Sequence, residues 1–557
     1  MKTLIVGGVA GGASAAARLR RLDENAEIIM FERGDYISFA NCGLPYYIGG
    51  EIKDKNMLTL QTPQSFRQRF NIDVRIKSEV TGINPEKNTV TVTNNGITYE
   101  ENYDNLILSM GAEPVKPNIE GINSDRIFTL RNIPDTYRIT DFIIKNKPQT
   151  AVIAGGGYIG VEMAENLKNC GLNVYIVELA DHLIAPLDFD MACEVQEYLQ
   201  RNGINVIVNN GIKSIKSNEK LTCVLENGEI QTDMLIMSVG VKPETKIASD
   251  CGIKTNNRGA IITDRNMKTN IENIYAVGDA VEVIDYVTGN SSYVPLAGPA
   301  NKQGRIAADN ICGINSEYTG TQGSSVLKIF DMTVAVTGIN ERAAKAAGIN
   351  YDKTYTYSAS HASYYPGAMN MSVKILWDKE SKKLLGAQIV GYEGVDKRMD
   401  VIATSIRFGA KVTDLVNLEL CYAPPFSSAK DPVNMAGFVA ENVITNKVKQ
   451  FFWDDVDKLP RDGSVTLLDV RTNTEVMGGK INGFMHIPLD SLRDNINKIP
   501  KDKPVYVHCH SGLRSYIASR ILTGLGYDCY NLAGGYRFYQ IAAKHIKTPE
   551  YICTQCK

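Results

Sequence analysis

Two cysteines stand where thiols can do chemistry. Cys42 lies in SFANCGLPYYIGG (38–50), ten residues beyond an acid, Glu32, that closes a strand pattern. Cys509 ends an apolar run in PVYVHCHSGLRS (504–515) and is followed by Ser511, Gly512 and Arg514. A loop that curls in this way aims several backbone N–H groups at one point, with a helix N-terminus behind them. That setting favours a thiolate or a persulfide anion. The same geometry serves phosphatases, so the loop alone leaves both chemistries open. His508 and His510 flank the cysteine, and side chains alternate in direction at a strand end, so they are not expected to act together with it, and His508 is read as structural. Ser14, Arg18 and Arg21 recur at spacings of four and three, one helix face on which cations can meet phosphates. The closing Cys553-x-x-Cys556 supplies only half of a tetrahedral zinc site, and no metal site is expected.

A repeat must position the first of these groups. TLIVG (3–7), GVAGG, an Ala-rich stretch and AEIIMFE (26–32) read as strand, glycine turn, helix, strand and acid. The unit recurs as TAVIAGGGYIG (150–160) through NVYIVE, ending in Glu178. Two copies, each with an acid about 20 residues on, predict two dinucleotide-binding folds. Gly155, Gly157 and Gly160 allow a tight turn, close approach of a pyrophosphate, and helix-on-strand packing. The first copy keeps Gly7 and Gly12 at the outer positions, puts Val9 in the middle and adds Gly8 and Gly11. Glu178 would accept from an adenosine ribose. The following LADHLIAP has no arginine for a 2′-phosphate, which favours NADH, with NADPH still possible.

The whole chain bounds these readings. Its 557 residues call for about four domains. Lys plus Arg number 60 and Asp plus Glu 62, a formal charge of −2, so neither nucleic acid nor an acidic tail is indicated. The 44% hydrophobic, 22% charged balance is that of a soluble globular chain. No unbroken apolar stretch of about 18 residues predicts a membrane span. The signal-like N-terminus is broken by glycines, and eleven scattered cysteines form no pairing framework, so a reducing, cytoplasmic setting is expected.

LILSMGAEP (106–114), MLIMSVGVKP (234–243) and NIYAVGDA (273–280) complete a pattern that resembles the pyridine nucleotide–disulfide oxidoreductases over about 1–445. The resemblance implies FAD on the first fold and NAD(P)H on the second, with the FAD domain interrupted by the NADH domain. Flavin contacts then fall at Gly7, Gly8, Ala10, Gly11 and Gly12, and at Glu32, Arg33, Asn41 and Cys42. Later ones are Val80, Gly111, Gly278, Asp279, Pro295, Leu296 and Ala297. NADH contacts fall at Gly155, Gly157, Tyr158, Ile159, Gly160, Glu178 and Gly240. Members with a redox dithiol carry a second cysteine five positions after the first. Here that position is Tyr47, so the chain resembles the single-cysteine branch, which includes coenzyme A-disulfide reductases, NADH oxidases and NADH peroxidases. A nucleophilic thiol there needs a pKa below about 8.5.

HASYYPGA (361–368) and CYAPPFSSAKDPVN (421–434) resemble coenzyme A-disulfide reductase segments and select Tyr364 and Tyr422 as hydrogen-bond or proton donors to a leaving thiolate. The same resemblance implies substrate contacts at Ser38, Asn41, Asn301 and Lys430, beside the helix face of Ser14, Arg18 and Arg21; one further family lysine falls at Phe70, with Arg67 and Arg69 close by. LLDVR, GxxHIPL, the Cys509 loop and NLAGGY (531–536), in this order, resemble a rhodanese domain, with Cys509 and Arg514 catalytic.

The expected architecture is α/β, with two Rossmann-like folds, an α+β dimerisation domain and a C-terminal rhodanese-like domain. Boundaries are expected at 1–112 and 245–325 (FAD), 113–244 (NADH), 326–446 (dimerisation), 447–454 (linker, which could be mobile) and 455–557 (rhodanese-like). The expected protein is a homodimeric, FAD-dependent NAD(P)H reductase of coenzyme A disulfide, coenzyme A persulfide or polysulfide, with Cys509 carrying sulfur. The alternatives are an NADH oxidase or peroxidase with a Cys42 sulfenate, or a sulfane-sulfur sensor without turnover.

Overall fold

The structure is a computed structural model, and residues 1–546 of it are described. The pair Cys553-x-x-Cys556 lies outside the described residues. The chain forms two compact units, Met1–Leu179 with Asn210–Gly323, and Ala180–Asn209 with Ser324 onward. This two-way division is coarser than the expected boundaries. Residues 180–209 fall inside the stretch assigned to NADH binding, yet belong to the second unit.

The first unit holds both glycine-turn folds. In the first, strands Lys2–Val6, Glu27–Phe31 and Asn105–Leu108 run parallel, with Ile274–Ala276 and Asp73–Arg75 at the edges. Their Leu, Ile, Val and Met side chains are buried as a near-continuous apolar run, as a parallel sheet covered on both faces requires. In the second, Thr150–Ala154 pairs in parallel with Asn173–Val177 and with Met234–Met237.

The two turns repeat atom for atom. Gly7 (φ +98°) and Gly155 (φ +102°) adopt a backbone that side chains rarely enter. Each N–H is held at 2.8 Å by a carbonyl of the second strand, Phe31 and Val177 respectively. A Cβ on Gly12 would stand 1.9 Å from the Gly7 oxygen, and one on Gly160 2.0 Å from that of Gly155. Helices Ala10–Leu22 and Tyr158–Asn169 can therefore start only with glycine there.

The second unit carries an antiparallel sheet, Ser325–Ile329, Met332–Gly338, Leu384–Gly391, Asn370–Asp378 and Tyr351–Ala359, in that order across the sheet. Beyond it stands a parallel sheet ordered Lys449–Phe451, Cys529–Leu532, Val505–His508, Thr466–Asp469, Met485–His486. The expected linker thus includes an edge strand of the C-terminal sheet, and Trp453 stacks on Phe189 at 5.8 Å. The segment is pinned rather than mobile.

A buried charge cluster joins the parts of this unit. Lys374, with no solvent exposure, meets Asp188 (2.9 Å), Asp190 (2.9 Å) and Glu341 (2.6 Å). Trp453 donates to Asp190 at 3.2 Å. Arg537 of the last helix, Gly535–Ile546, forks onto Glu194 of helix Phe189–Arg201 and donates to Ser372 at 2.9 Å. Charges taken this far from water persist only when paired on every side.

Candidate active sites

A cavity of about 410 Å³ opens at the C-terminal ends of the first fold's strands. Among the residues named from sequence, Gly7, Glu32, Arg33, Asn41, Val80, Gly111 and Asp279 line it. The Glu32 carboxylate accepts from the N–H groups of Gly8 (3.1 Å) and Gly34 (2.9 Å), leaving its rim facing the cavity. Arg33 pairs with Glu244, which also binds Arg131 at 2.7 Å. Burial pushes the Asp279 carboxyl up, and Arg131 partly offsets this. A half-buried acid short of donors, beside a glycine turn that keeps side chains away, fits the ribityl hydroxyls and pyrophosphate of FAD. Pro295, Leu296 and Ala297 stand outside the cavity lining, at the start of helix Ala297–Ile311. Gly8, Ala10, Gly11 and Gly12 form the turn and first helical residues beneath it.

In the second fold Glu178 accepts from the Gly156 N–H at 2.6 Å, as Glu32 does from Gly8. A Cβ on Gly157 would meet nothing within 4 Å, so the open space there suits a ligand rather than protein packing. Tyr158 and Ile159 begin the helix behind the turn, and Gly240 (φ +110°) follows the strand Met234–Met237.

Cys42 is a free, exposed thiol in the short helix Asn41–Gly43, next to helix Leu44–Ile48. Ser38 precedes it at φ +44°, a conformation that stores strain in a non-glycine residue. The protein's own atoms raise the thiol pKa. Loss of hydration in the surrounding wall is the main cause, and the carboxylates of Glu162 and Asp279 add to it. The sequence calls for a lowered thiol, with a helix terminus or oxidised flavin to help; among the described residues no charge beside Cys42 lowers it.

Sequence reasoning missed Glu162. It lies two residues after Gly160, on helix Tyr158–Asn169, where burial pushes its carboxyl up to about 7. Tyr46 donates to it at 3.4 Å. The signal was a pair of acids three apart, Glu162 and Glu165, on the helix that follows the glycine turn GGGYIG.

The proposed phosphate face is partly engaged. Arg18 binds Asp309 at 2.7 Å, and Ser14 donates to Asn301; Arg21 is exposed. Asn301 and Lys430 are exposed, and Ser38 is partly so. In the second unit Tyr364 and Tyr422, both exposed, meet hydroxyl to hydroxyl at 2.9 Å. That contact raises the Tyr364 phenol pKa.

The fully buried Cys509 sulfur accepts from the Gly512 N–H (3.2 Å) and from the Ser515 hydroxyl (3.3 Å). Helix Leu513–Gly524 begins immediately beyond, its positive end toward the sulfur. Arg514 is held by both oxygens of Glu475, at 2.8 and 2.6 Å. Glu475 also closes the capping box of Thr472, and these contacts pull its pKa down to about 2. The spacing T-x-x-E was the legible signal for this partner. His508 is buried against Phe484, with burial pulling it down to about 4, so it is neutral and structural in its packing. Among the described residues no group of three or more His, Cys, Asp or Glu is placed to hold a metal, and no helix is long and apolar enough to cross a membrane.

Residues 1–304 match the pyridine nucleotide-disulphide oxidoreductase family, and 324–432 match its dimerisation domain. The chain belongs to that family. Residues 452–542 match the rhodanese-like domain, so this member carries a second module at its C-terminal end. It is 37% identical over 444 residues to a coenzyme A disulfide reductase of Staphylococcus epidermidis, covering 79% of this chain and all of the relative. It is similar in structure to reduced CoADR-RHD of Bacillus anthracis, with a TM-score of 0.96, 47% identity and 98% of each chain covered. It is also similar to an NAD-dependent persulfide reductase from A. fulgidus, with a TM-score of 0.92, 37% identity, and 97% of this chain and all of that one covered. The family uses FAD and NAD(P)H, and this member is a flavin-dependent oxidoreductase with a rhodanese domain.

Proposed function

We propose that the protein is an NADH-dependent reductase of coenzyme A persulfide, coenzyme A disulfide or polysulfide, with Cys42 as the redox nucleophile and Cys509 as a sulfur carrier. The observation that carries this reading is the pair of free thiols in unlike settings. Cys42 stands beside a dinucleotide cavity, and Cys509 sits inside an anion-cradling loop. The similarity to a coenzyme A disulfide reductase and to a persulfide reductase supports it.

Bound FAD supplies the route by which the two electrons of NADH reach sulfur. The chain's residues do the rest. The Cys42 thiolate attacks the sulfur attached to coenzyme A and expels hydrosulfide or a second coenzyme A thiolate. Two electrons then break the resulting Cys42–coenzyme A disulfide and free the thiol. Tyr364 and Tyr422 donate to the leaving thiolate, reaching the site across a homodimer formed by the dimerisation domain. Ser14, Arg18, Arg21, Ser38, Asn41, Asn301 and Lys430 hold coenzyme A, with Arg18 shared between phosphate and Asp309. Glu178 and the arginine-free stretch after it favour NADH over NADPH. At Cys509 the loop N–H groups and Arg514 stabilise a persulfide. The FAD, NADH, dimerisation and rhodanese segments keep the boundaries given above, save that Lys449–Phe451 joins the last. The free thiols suit a reducing cytoplasm.

Anaerobic turnover of NADH with coenzyme A persulfide and coenzyme A disulfide tests the assignment. Cys42→Ser should abolish both, and Cys509→Ser should spare disulfide reduction while removing thiosulfate-dependent sulfur transfer. Sulfur reduction that survives Cys42→Ser and is lost in Cys509→Ser would overturn the division of labour.

A further inference from the structure

Tyr364 and Tyr422 sit on segments 58 residues apart in the chain, and both rings are open to solvent, Tyr364 at 75% and Tyr422 at 48% exposure. Rings this open make few packing contacts, so the 2.9 Å approach of their hydroxyls is set by the backbone beneath them. Tyr364 lies in the connection between strands Tyr351–Ala359 and Asn370–Asp378, and Tyr422 in the irregular stretch before helix Pro432–Ile444.

One buried side chain ties the two segments together. Arg398, on helix Val395–Arg407, is 1% exposed. Its Nη2 donates to the Ser360 carbonyl (2.7 Å), just before Tyr364 in the chain, and to the Ser427 hydroxyl (3.2 Å), just after Tyr422. Nε and Nη2 also meet one oxygen of Asp431, at 3.2 and 3.0 Å, while Nη1 donates to the Gly394 carbonyl at 3.1 Å. That Asp431 oxygen accepts from the Ser427 hydroxyl at 2.7 Å as well; the other caps helix Pro432–Ile444 by accepting from the Val433 N–H at 2.9 Å. The segments also touch directly, the Ala362 N–H donating to the Ser427 carbonyl at 3.0 Å. A lysine ammonium would match the Asp431 charge, but it lacks the planar fork that reaches a carbonyl of one segment and a carboxylate of the other in fixed directions.

We propose that Arg398, held by Asp431, is the positioning residue of the tyrosine pair: it locks the two segments so that the paired phenols present one hydrogen bond to the departing thiolate. This rests on the reading of Tyr364 and Tyr422 as donors to that thiolate. With one phenol donating to the other, a single O–H of the pair remains free. As the Cys42 thiolate attacks the disulfide, a new S–S bond forms and the old one breaks. The electron pair of the broken bond moves to the leaving sulfur, and the free O–H donates to it without giving up its proton. If the segments part by about 1 Å, that O–H turns away, a misplacement that costs about 100-fold in rate.

The test mixes reduced, full-length holoenzyme rapidly with substrate in the absence of oxygen and follows the first thiolate released in a single turnover. Two substrates are compared. Coenzyme A disulfide has a basic leaving thiolate; the mixed disulfide of coenzyme A with a nitrated aryl thiol has one that is stable without a donor. Arg398→Lys should slow release from coenzyme A disulfide about 100-fold and leave release of the aryl thiolate near the native rate. In a background of Tyr364→Phe and Tyr422→Phe, the same substitution should cost nothing further, because the groups it positions are gone. Ser427→Ala keeps the ion pair and should show the same pattern with a loss of about tenfold for the one anchoring bond removed; it decides the matter if Arg398→Lys does not fold. If the double phenylalanine variant cleaves coenzyme A disulfide at the native rate, the donor reading of the tyrosines falls. If that variant is slow, but each folded anchor variant is native-like, slows both substrates alike, or costs as much in the phenylalanine background, the donor reading stands and this inference is overturned.

Discussion

Replacing Glu162 by Gln should stabilise the protein, and increasingly so as the pH rises. The native carboxyl is held at about 7 by burial, against 4.5 for the free side chain. A carboxyl whose pKa is higher folded than unfolded opposes folding once it ionises. The penalty begins near pH 4.5 and is complete above about 7, where 2.5 units correspond to about 3 kcal/mol. At pH 5 the same relation gives only about 1 kcal/mol. Gln keeps an oxygen for the Tyr46 hydroxyl and removes the charge. For a unit of about 300 residues, 1 kcal/mol moves the melting temperature by about 1.5 °C. The gain should therefore grow from about 1–2 °C at pH 5 to about 5 °C at pH 8. Release of flavin fluorescence during heating of the holoenzyme reads the transition of the unit that holds Glu162. The Cys42 thiol, which Glu162 repels, should also be alkylated faster at pH 8 in the variant. A stability gain that is the same at both pH values, or absent at pH 8, would refute the assignment of a buried, perturbed carboxyl.

Two further outcomes follow from close contacts. Gly160→Ala places a Cβ 2.0 Å from the Gly155 oxygen, so flavin should stay bound while the KM for NADH rises at least tenfold; rapid mixing with NADH, followed by flavin bleaching, measures it. Lys374→Met leaves Asp188, Asp190 and Glu341 facing one another in a dry cluster and should cost about 3–5 kcal/mol in urea denaturation at pH 7. In the native protein the Asp190 and Glu341 pKa values are lowered, so their contribution is present above the usual carboxylate range and lost on acidification; the deficit of the variant should accordingly shrink toward pH 4.

What could be read from the sequence was local. The glycine turns, the acids that close them and the Cys509 loop are each written within about 30 consecutive residues, and each is fixed by backbone geometry that tolerates few residue types. The partners of those groups are written elsewhere. Arg18 reads as a free cation on a helix face until Asp309, 291 residues away, is brought beside it. Lys374 lies inside the strand-like run SVKILWD, and its three carboxylates come from two other segments. The strand Lys449–Phe451 is too short to show any alternation, and only its pairing with Tyr530–Leu532 reveals it. The raised Cys42 thiol has the same origin, since the wall that buries it and the carboxylates of Glu162 and Asp279 are brought to it by folding alone.

Helix Phe189–Arg201 bears on how such a fusion could arise or be undone. Its Asp190, Glu194 and Glu197 are matched by Trp453, Arg537 and Lys544, all contributed from beyond residue 446. A recombination that deleted everything after that point would leave three acids with ligands missing. The shortened protein would inherit a solvation debt at each of them. Gain or loss of the C-terminal module is therefore coupled to substitution in a helix encoded some 250 codons upstream, and the two stretches should change together among descendants.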